Sequence, residues 1–144
     1  EGRKATGLDI RTLYIPQEVD DSSSIEFLSE IKDLPQAERG ALLSIVAQLN
    51  SDPERILSGE NISPGELRKL MLARGILDAP EIIVMDEPTN HLDLHSVEAL
   101  ERALSAFPGA LVLVSHDEQF LSASCPLRLD LAPEEEHTIG QPLL

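Results

Sequence analysis

The segment Ile82–Asp93 reads Ile-Ile-Val-Met-Asp-Glu-Pro-Thr-Asn-His-Leu-Asp, so four apolar residues run directly into two adjacent carboxylates. A continuous apolar run that ends in a turn is typical of a strand buried on both faces, as in a parallel sheet with helices on either side. Ligands of such sheets bind at the carboxyl ends of the strands. Asp86 and Glu87 are therefore candidates to hold a metal ion or to accept a proton.

Apolar runs alternate with helical patterns along the chain, which predicts an α/β fold. We predict strands at Thr12–Ile15, Ile82–Met85, Ala110–Val114 and Leu127–Leu131, with Ala110–Val114 in the centre of the sheet. We predict helices at Ile25–Lys32, Gln36–Asn50, Asp52–Leu57, Pro64–Leu77, Asp93–Ala106 and Gln119–Ser122, and a polar linker at Asp20–Ser24. Because strands alternate with helices, the sheet should be mainly parallel with flanking helices.

Four short motifs occur in a fixed order: Tyr14-Ile15-Pro16-Gln17, Ile62-Ser63-Pro64-Gly65-Glu66, Ile82–Glu87 and Val114-Ser115-His116-Asp117. In this order they resemble the glutamine loop, signature motif, Walker B strand and histidine loop of an ATP-binding cassette (ABC) ATPase domain. The tetrad Thr89-Asn90-His91-Leu92 is similar to that of the soluble ABC-F group of translation-factor and antibiotic-resistance ATPases. The resemblance extends over most of the chain.

The resemblance implies that residues 1–144 form part of one ABC ATPase domain. Residues 18–80 would form a small helical subdomain that carries the signature motif. Residues 81–131 would run from the Walker B strand through the histidine loop to the last strand, and residues 132–144 would form a tail. The function implied is the binding and hydrolysis of ATP, with Mg²⁺, where two cassettes close around the nucleotide.

One family motif does not occur in the sequence. The phosphate-binding P-loop (Walker A motif) has the pattern G-x-x-x-x-G-K-[ST], which none of the eight glycines begins, and no lysine follows a glycine. In the family this loop precedes the glutamine loop. We therefore expect the chain to be the carboxyl-terminal part of a cassette in a longer protein, and the 144 residues alone to be inactive.

The resemblance assigns chemistry to four residues near the strand ends. Asp86 would orient Mg²⁺, and Gln17 would bind Mg²⁺ or the attacking water. Glu87 would be the general base or position the water, and His116 would contact the γ-phosphate. Without a ligand, the two acids would form a solvated turn that caps the next helix, and the histidine would only end a strand.

Further ATP contacts are implied for Ser63, Gly65, Glu66 and Asp93. Ser63 and Glu66 match a capping box with Pro64 at the first helical position, so an ordinary helix start also explains them. A helix amino terminus suits a phosphate, which in the family is held by the other cassette. Pro64 removes one N–H donor, and Glu66 replaces the usual glutamine. Asp93 would lie in the D-loop between two ATP sites, or cap the next helix.

Composition limits the partners. The net charge of −15 argues against a broad basic surface for nucleic acid, which conflicts with direct ribosome binding by this chain. No apolar run approaches the roughly 18 residues of a membrane span. Cys125 is the only cysteine, as suits a reducing cytoplasm. We expect a cytoplasmic protein whose partners are a second cassette, in the same chain or a dimer, and, by family resemblance, the ribosome.

Three functions stay open at this point. The leading hypothesis is part of an ABC-F-like ATPase. The alternatives are the ATPase subunit of an ABC membrane transporter and an interaction fragment that does not hydrolyse ATP. A P-loop upstream in the reading frame would favour an ATPase over the interaction fragment, and a neighbouring multi-span membrane protein would favour the transporter subunit.

Overall fold

The computed structural model describes residues 10–58 and 62–127. Within them, strands β1 (Thr12–Ile15), β2 (Ile82–Asp86) and β3 (Ala110–Val114) form one parallel sheet in the order β1-β2-β3. The helices are α1 (Asp21–Asp33), α2 (Gln36–Gln48), α3 (Pro53–Ser58), α4 (Pro64–Leu77), α5 (Leu94–Ser105) and α6 (Glu118–Ser124). This arrangement confirms the predicted α/β fold with a parallel sheet and helices.

One face of the sheet and the inner sides of the helices share a single apolar core. Ile15, Ile83 and Met85 project from the sheet into this core, where α4 packs against β1 and α2 packs against α4. Helices α5 and α6 complete it with side chains such as Leu100 and Phe120. Each large apolar side chain buried in this way contributes about 1.5–3 kcal/mol to folding. The core therefore fixes α4 and α5 relative to the strand ends.

The opposite face of the sheet is less covered than predicted. Strand β3 lies at an edge of the described sheet, and its Val114 is 55% exposed. Most of the predicted fourth strand lies outside the described residues, so the central position of β3 stays a prediction. Strand β2 is central in the described sheet, but its residues alternate between buried and half-buried, so the expectation of two buried faces is wrong. Valine and isoleucine favour strands on either kind of face, and an apolar run alone does not distinguish the two.

The predicted polar linker at Asp20–Ser24 is instead the start of α1. The Asp20 carboxylate accepts hydrogen bonds from the Ser23 backbone N–H at 2.9 Å and from the Ser23 hydroxyl at 2.6 Å. Aspartate followed by serines is a good amino-terminal cap, since the side chain satisfies N–H groups that the first turn leaves unpaired. The polar residues therefore begin the helix earlier than apolar periodicity indicates.

The remaining helices and strands match the predictions to within one or two residues at their ends. The segment 128–144, with most of the predicted fourth strand and the predicted tail, lies outside the described residues. The subdomain boundaries at residues 18, 80 and 132 stay predictions. None of the described helices is both long and apolar enough to cross a membrane.

Candidate functional site

The carboxyl ends of the three strands bring separate segments of the sequence to one edge of the sheet. In the sheet register, the last residue of β1 pairs with Met85 and the last residue of β2 pairs with Val114. Gln17 follows β1 by two residues, Glu87 follows β2 directly, and His116 follows β3 by two residues. Parallel pairing therefore places these segments along the same edge, although they are distant in sequence.

Glu87 and His116 are brought into contact at this edge. The Glu87 Oε1 atom lies 3.5 Å from His116 Nε2; the glutamate side chain is 12% exposed and the histidine side chain is fully exposed. The other carboxylate oxygen faces the Ser115 hydroxyl at 3.4 Å and the His116 N–H at 3.5 Å. The Glu87 N–H donates to the carbonyl of Val114 at 2.7 Å. A carboxylate enclosed in this way beside an imidazole is suited to accept a proton from a water molecule.

Asp86 ends β2 and supplies an oxygen donor at the same edge. Its side chain is half-buried, and in the described part of the chain its carboxylate makes no hydrogen bond or ion pair. Gln17 is exposed and offers an amide oxygen. Residues 10–58 and 62–127 contain no group of three or more acids, histidines or cysteines placed to hold a metal. A few oxygen donors fit Mg²⁺, which usually keeps several waters and binds substrate phosphates.

Residues 87–92 form a tight bend, here called the post-strand turn. Glu87 has φ of 46° and His91 has φ of 62°, so both lie in the left-handed region that residues with a Cβ rarely adopt. The turn is closed by backbone hydrogen bonds from Asn90 to Glu87 and from Leu92 to Thr89, each 3.2 Å long. The conformation of the turn sets the direction in which the Glu87 side chain leaves β2.

The first turn of α4 contains the predicted capping box. The Ser63 hydroxyl accepts from the Glu66 N–H at 3.2 Å, and the Glu66 carboxylate accepts from the Ser63 N–H at 2.9 Å. Glu66 also forms an ion pair with Arg55 at 3.3 Å. These contacts confirm the ordinary helix start. The ATP contacts assigned to Ser63 and Glu66 stay predictions.

Gly65 allows α4 to approach the post-strand turn closely. A Cβ atom at this position would lie 2.7 Å from the backbone oxygen of His91 and 2.9 Å from a methyl carbon of Leu92. Both distances are shorter than van der Waals contact, so any larger residue would have to displace the turn or the helix. Gly65 therefore has a packing role in addition to its predicted contact with ATP.

A buried polar network connects α4 to the start of α5. Asp93 caps α5 and accepts from the Ser96 N–H and hydroxyl, both at 2.9 Å. Lys69, which is 6% exposed, donates to the Ser96 hydroxyl at 2.6 Å and to the backbone oxygen of Asn50 at 3.1 Å. The hydrogen bonds from Ser96 lower the pKa of Asp93, whereas burial lowers the pKa of Lys69. The capping role of Asp93 is confirmed.

The predicted residues thus fall into two groups and one separate residue. Asp86, Glu87 and His116 lie at the sheet edge. Ser63, Gly65, Glu66 and Asp93 line a cavity of about 370 Å³ together with Lys69. Gln17 lines a different cavity, of about 350 Å³, between α1 and the first turns of α4. The structure therefore does not place Gln17 in one cavity with the residues around Asp93.

Sequence reasoning missed two buried cations, Arg68 and Lys69. A signal for them exists in α4, where Leu67, Leu70 and Leu72 place apolar side chains on almost every side of the helix. A helix that is apolar all round is buried, and a charged residue within it needs polar partners. Both residues have such partners, in the post-strand turn and in the Asp93 network respectively.

Known proteins resemble this chain in sequence and in fold. A family profile described as ABC transporter matches residues 4–90. The chain belongs to the ATP-binding cassette family. It is 39% identical over 87 residues to the ATP-binding protein Uup of Escherichia coli (strain K12), a match that covers 60% of this chain and 13% of Uup. It is 33% identical over 117 residues to the energy-dependent translational throttle protein EttA of the same strain, which covers 78% of this chain and 21% of EttA.

These relatives place the cassette in the ABC-F group, as the tetrad Thr89-Asn90-His91-Leu92 predicts. The chain spans about a fifth or less of the length of the two relatives. Among solved structures, the dimeric ATP-binding cassette MJ0796 bound to ADP and Pi resembles it with a TM-score of 0.58 at 18% identity, over 80% of this chain and 56% of that chain. At this identity the likeness shows the shared fold.

Proposed function

We propose that this cassette is part of an ABC-F-type ATPase that binds ATP and hydrolyses it to ADP and phosphate where two cassettes meet. The observation that carries the proposal is the contact between Glu87 and His116 at the carboxyl edge of a parallel sheet. An acid in contact with an imidazole at this position provides the two groups that water activation beside a phosphate requires.

In this proposal Glu87 accepts a proton from the attacking water or orients that water, and His116 donates a hydrogen bond to the γ-phosphate. Asp86 and Gln17 would hold Mg²⁺ through their oxygen atoms, and the ion would neutralise phosphate charge when bound. Ser63, Gly65 and the first turn of α4 would contact the γ-phosphate of the other cassette's nucleotide. Glu66 would hold Ser63 and the first turn of α4 in place for that contact through the capping box. Asp93 would lie in the loop that connects the two ATP sites across the interface.

The partner implied is a second cassette, in the same polypeptide or in a dimer, and the phosphate-binding loop would come from polypeptide outside these 144 residues. The similarity to a translational throttle protein favours the ribosome as the target of the cycle and a cytoplasmic location. Because this chain carries a net charge of −15, the basic surface that contacts RNA would lie elsewhere in the protein. Co-sedimentation with ribosomes that persists only in ATP-bound protein would support this target.

The experiment that tests the proposal is Glu87→Gln in the full-length protein. We expect ATP to remain bound while phosphate release falls by roughly 100-fold or more, because the amide cannot accept the proton. Glu81→Gln is the matched control, since Glu81 lies just before the amino end of β2, and this variant should hydrolyse ATP normally. A Glu87→Gln variant with the wild-type rate would remove Glu87 from the mechanism.

The 144 residues alone should not turn over ATP and should bind it weakly, because their sequence lacks the P-loop pattern. Titration calorimetry with Mg-ATP measures this directly. Binding in the micromolar range by the chain alone would contradict the proposed need for a separate phosphate-binding loop. Absence of turnover in the full-length protein would instead favour a binding module that no longer hydrolyses ATP.

A further inference from the structure

Arg68 connects α4 to the post-strand turn through both ends of its guanidinium group. The residue is only 4% exposed. Its Nη1 atom donates to the carbonyl oxygen of Glu87 at 2.9 Å, and its Nη2 atom donates to the carbonyl oxygen of Asn90. One planar group therefore fixes two carbonyl oxygens that lie three residues apart in the turn.

The two acceptors adjoin the two strained positions of the turn. One carbonyl belongs to Glu87, whose φ is 46°, and the other precedes His91, whose φ is 62°. Left-handed backbone at residues with a Cβ persists only where the surroundings hold it in place. Hydrogen bonds to a charged donor are among the stronger contacts a protein can supply for this purpose.

Burying the charged side chain of Arg68 is unfavourable unless its hydrogen bonds compensate for the lost contact with water. Burial lowers the pKa of the guanidinium, as expected for a charge removed from water. In the described part of the chain its Nε atom has no hydrogen-bond partner. An apolar residue of similar volume would fill the same space without these penalties. Packing alone therefore does not account for an arginine here.

We propose that Arg68 is a positioning residue that holds the backbone of Glu87 in its left-handed conformation and so aims the carboxylate at His116. Through the same contacts it joins the amino-terminal half of α4, which would meet the nucleotide of the other cassette, to the residue that would activate water. A displacement of α4 is thereby transmitted to Glu87. The catalytic consequence rests on the proposed ATPase function, whereas the restraint on the turn does not.

The test compares Arg68→Met with Arg74→Met in the full-length protein. Arg74 lies on the same helix but pairs with Asp78 and Glu30, away from the turn. Hydrogen exchange at the Asn90 and Leu92 amides, which close the turn, reports the restraint directly. We expect Arg68→Met to speed their exchange by about tenfold or more, in line with the loss of two hydrogen bonds to a charged donor, and Arg74→Met to leave it unchanged.

Kinetics supply a second readout that a purely structural role would not move. Arg68→Met should lower kcat about tenfold with KM for ATP changed less than about threefold, because it displaces the water-activating group rather than the nucleotide. Arg68→Lys, which can reach one carbonyl but not both, should be intermediate in exchange and in kcat. This variant keeps the charge and remains informative if Arg68→Met folds poorly.

Unchanged exchange at Asn90 and Leu92 in Arg68→Met would overturn the proposal, as would full activity in that variant. Faster exchange together with a loss of kcat would support it. If the wild-type protein does not hydrolyse ATP, the proposed function fails, but the exchange experiment still decides whether Arg68 restrains the turn.

Discussion

On one side of the post-strand turn, Arg68 and Lys69 reach from α4 as buried cations, and Gly65 brings the helix into contact with the turn backbone. On the other side, the fully exposed His116 meets Glu87 at 3.5 Å. The α4 side is held by buried charge-assisted hydrogen bonds, which are strong, whereas the β3 side is held by longer contacts exposed to water.

This difference indicates that the two sides of the turn have different roles. The α4 side sets where the backbone of the turn lies and therefore contributes to the stability of the fold. The β3 side leaves its imidazole exposed to water, as the proposed contact with a phosphate would require. Substitutions on the α4 side should therefore change the free energy of unfolding, and substitutions on the β3 side should change chemistry with little effect on stability.

The largest loss of stability is expected from Gly65→Ala. The added methyl group would overlap the His91 carbonyl, and relieving such overpacking costs about 2–3 kcal/mol. Urea denaturation of the chain measures the change. Gly40→Ala is the matched control, because no atom lies within 4 Å of the added Cβ in α2, and it should stabilise the chain by about 0.5–1 kcal/mol. Equal effects from the two substitutions would show that α4 does not press on the turn.

A smaller loss is expected from Lys69→Met. The change leaves the Asn50 carbonyl and the hydroxyls of Ser51 and Ser96 without their shared donor, which should cost about 1–2 kcal/mol. The same denaturation measurement applies. Lys32→Met, at an exposed position in the last turn of α1, is the control and should change stability by less than about 0.5 kcal/mol. If Lys32→Met lowers the free energy of unfolding as much as Lys69→Met does, the buried hydrogen bonds of Lys69 make no specific contribution to stability.

The Asp93 carboxylate should make the stability of the fold depend on pH. Hydrogen bonds from Ser96, aided by the charge of Lys69, lower the pKa of Asp93 below its ordinary value of 3.8. A carboxyl group whose pKa is lower in the folded state than in the unfolded state stabilises the fold at pH values above the ordinary pKa. This stabilisation is lost as the pH falls through the folded-state pKa. The Asp93→Asn variant should therefore have a lower free energy of unfolding than wild type at pH 7, and this difference should become smaller as the pH falls below 4. Urea denaturation at several pH values measures it, and a difference that stays constant with pH would contradict the ionic contribution of Asp93.

Much of this architecture could be predicted from local patterns. The strands, the capping box at Ser63 and Glu66, and the approach of Glu87 to His116 follow from apolar runs, cap residues and parallel pairing, which act over short distances or fix a common edge. The early start of α1 at Asp21 also carried a local signal, the Asp20 cap, but apolar periodicity outweighed it in the prediction.

The rest depends on contacts between distant segments. Whether β3 lies at an edge or in the centre of the sheet is decided by which strands pair with it, and its own sequence does not contain that information. The burial of Arg68 depends on the path of the post-strand turn, because its acceptors are backbone carbonyls that every residue carries. The side chains of the turn therefore do not indicate that the turn binds Arg68. The apolar residues around Arg68 in α4 do indicate that its guanidinium is buried and needs polar partners.

The smallest effect on stability is expected from His116→Ala, which tests the other side of the comparison. The imidazole is fully exposed, so its removal should leave the urea midpoint of the chain within error of wild type. In the full-length protein the same change should lower kcat by roughly 100-fold, because the proposed hydrogen bond to the developing phosphate charge would be lost. Glu118→Ala, two residues along the same exposed surface, is the control and should keep full turnover. If His116→Ala destabilised the chain as much as Gly65→Ala, the imidazole would be a structural group, and the distinction between a buried α4 side and an exposed β3 side would fail.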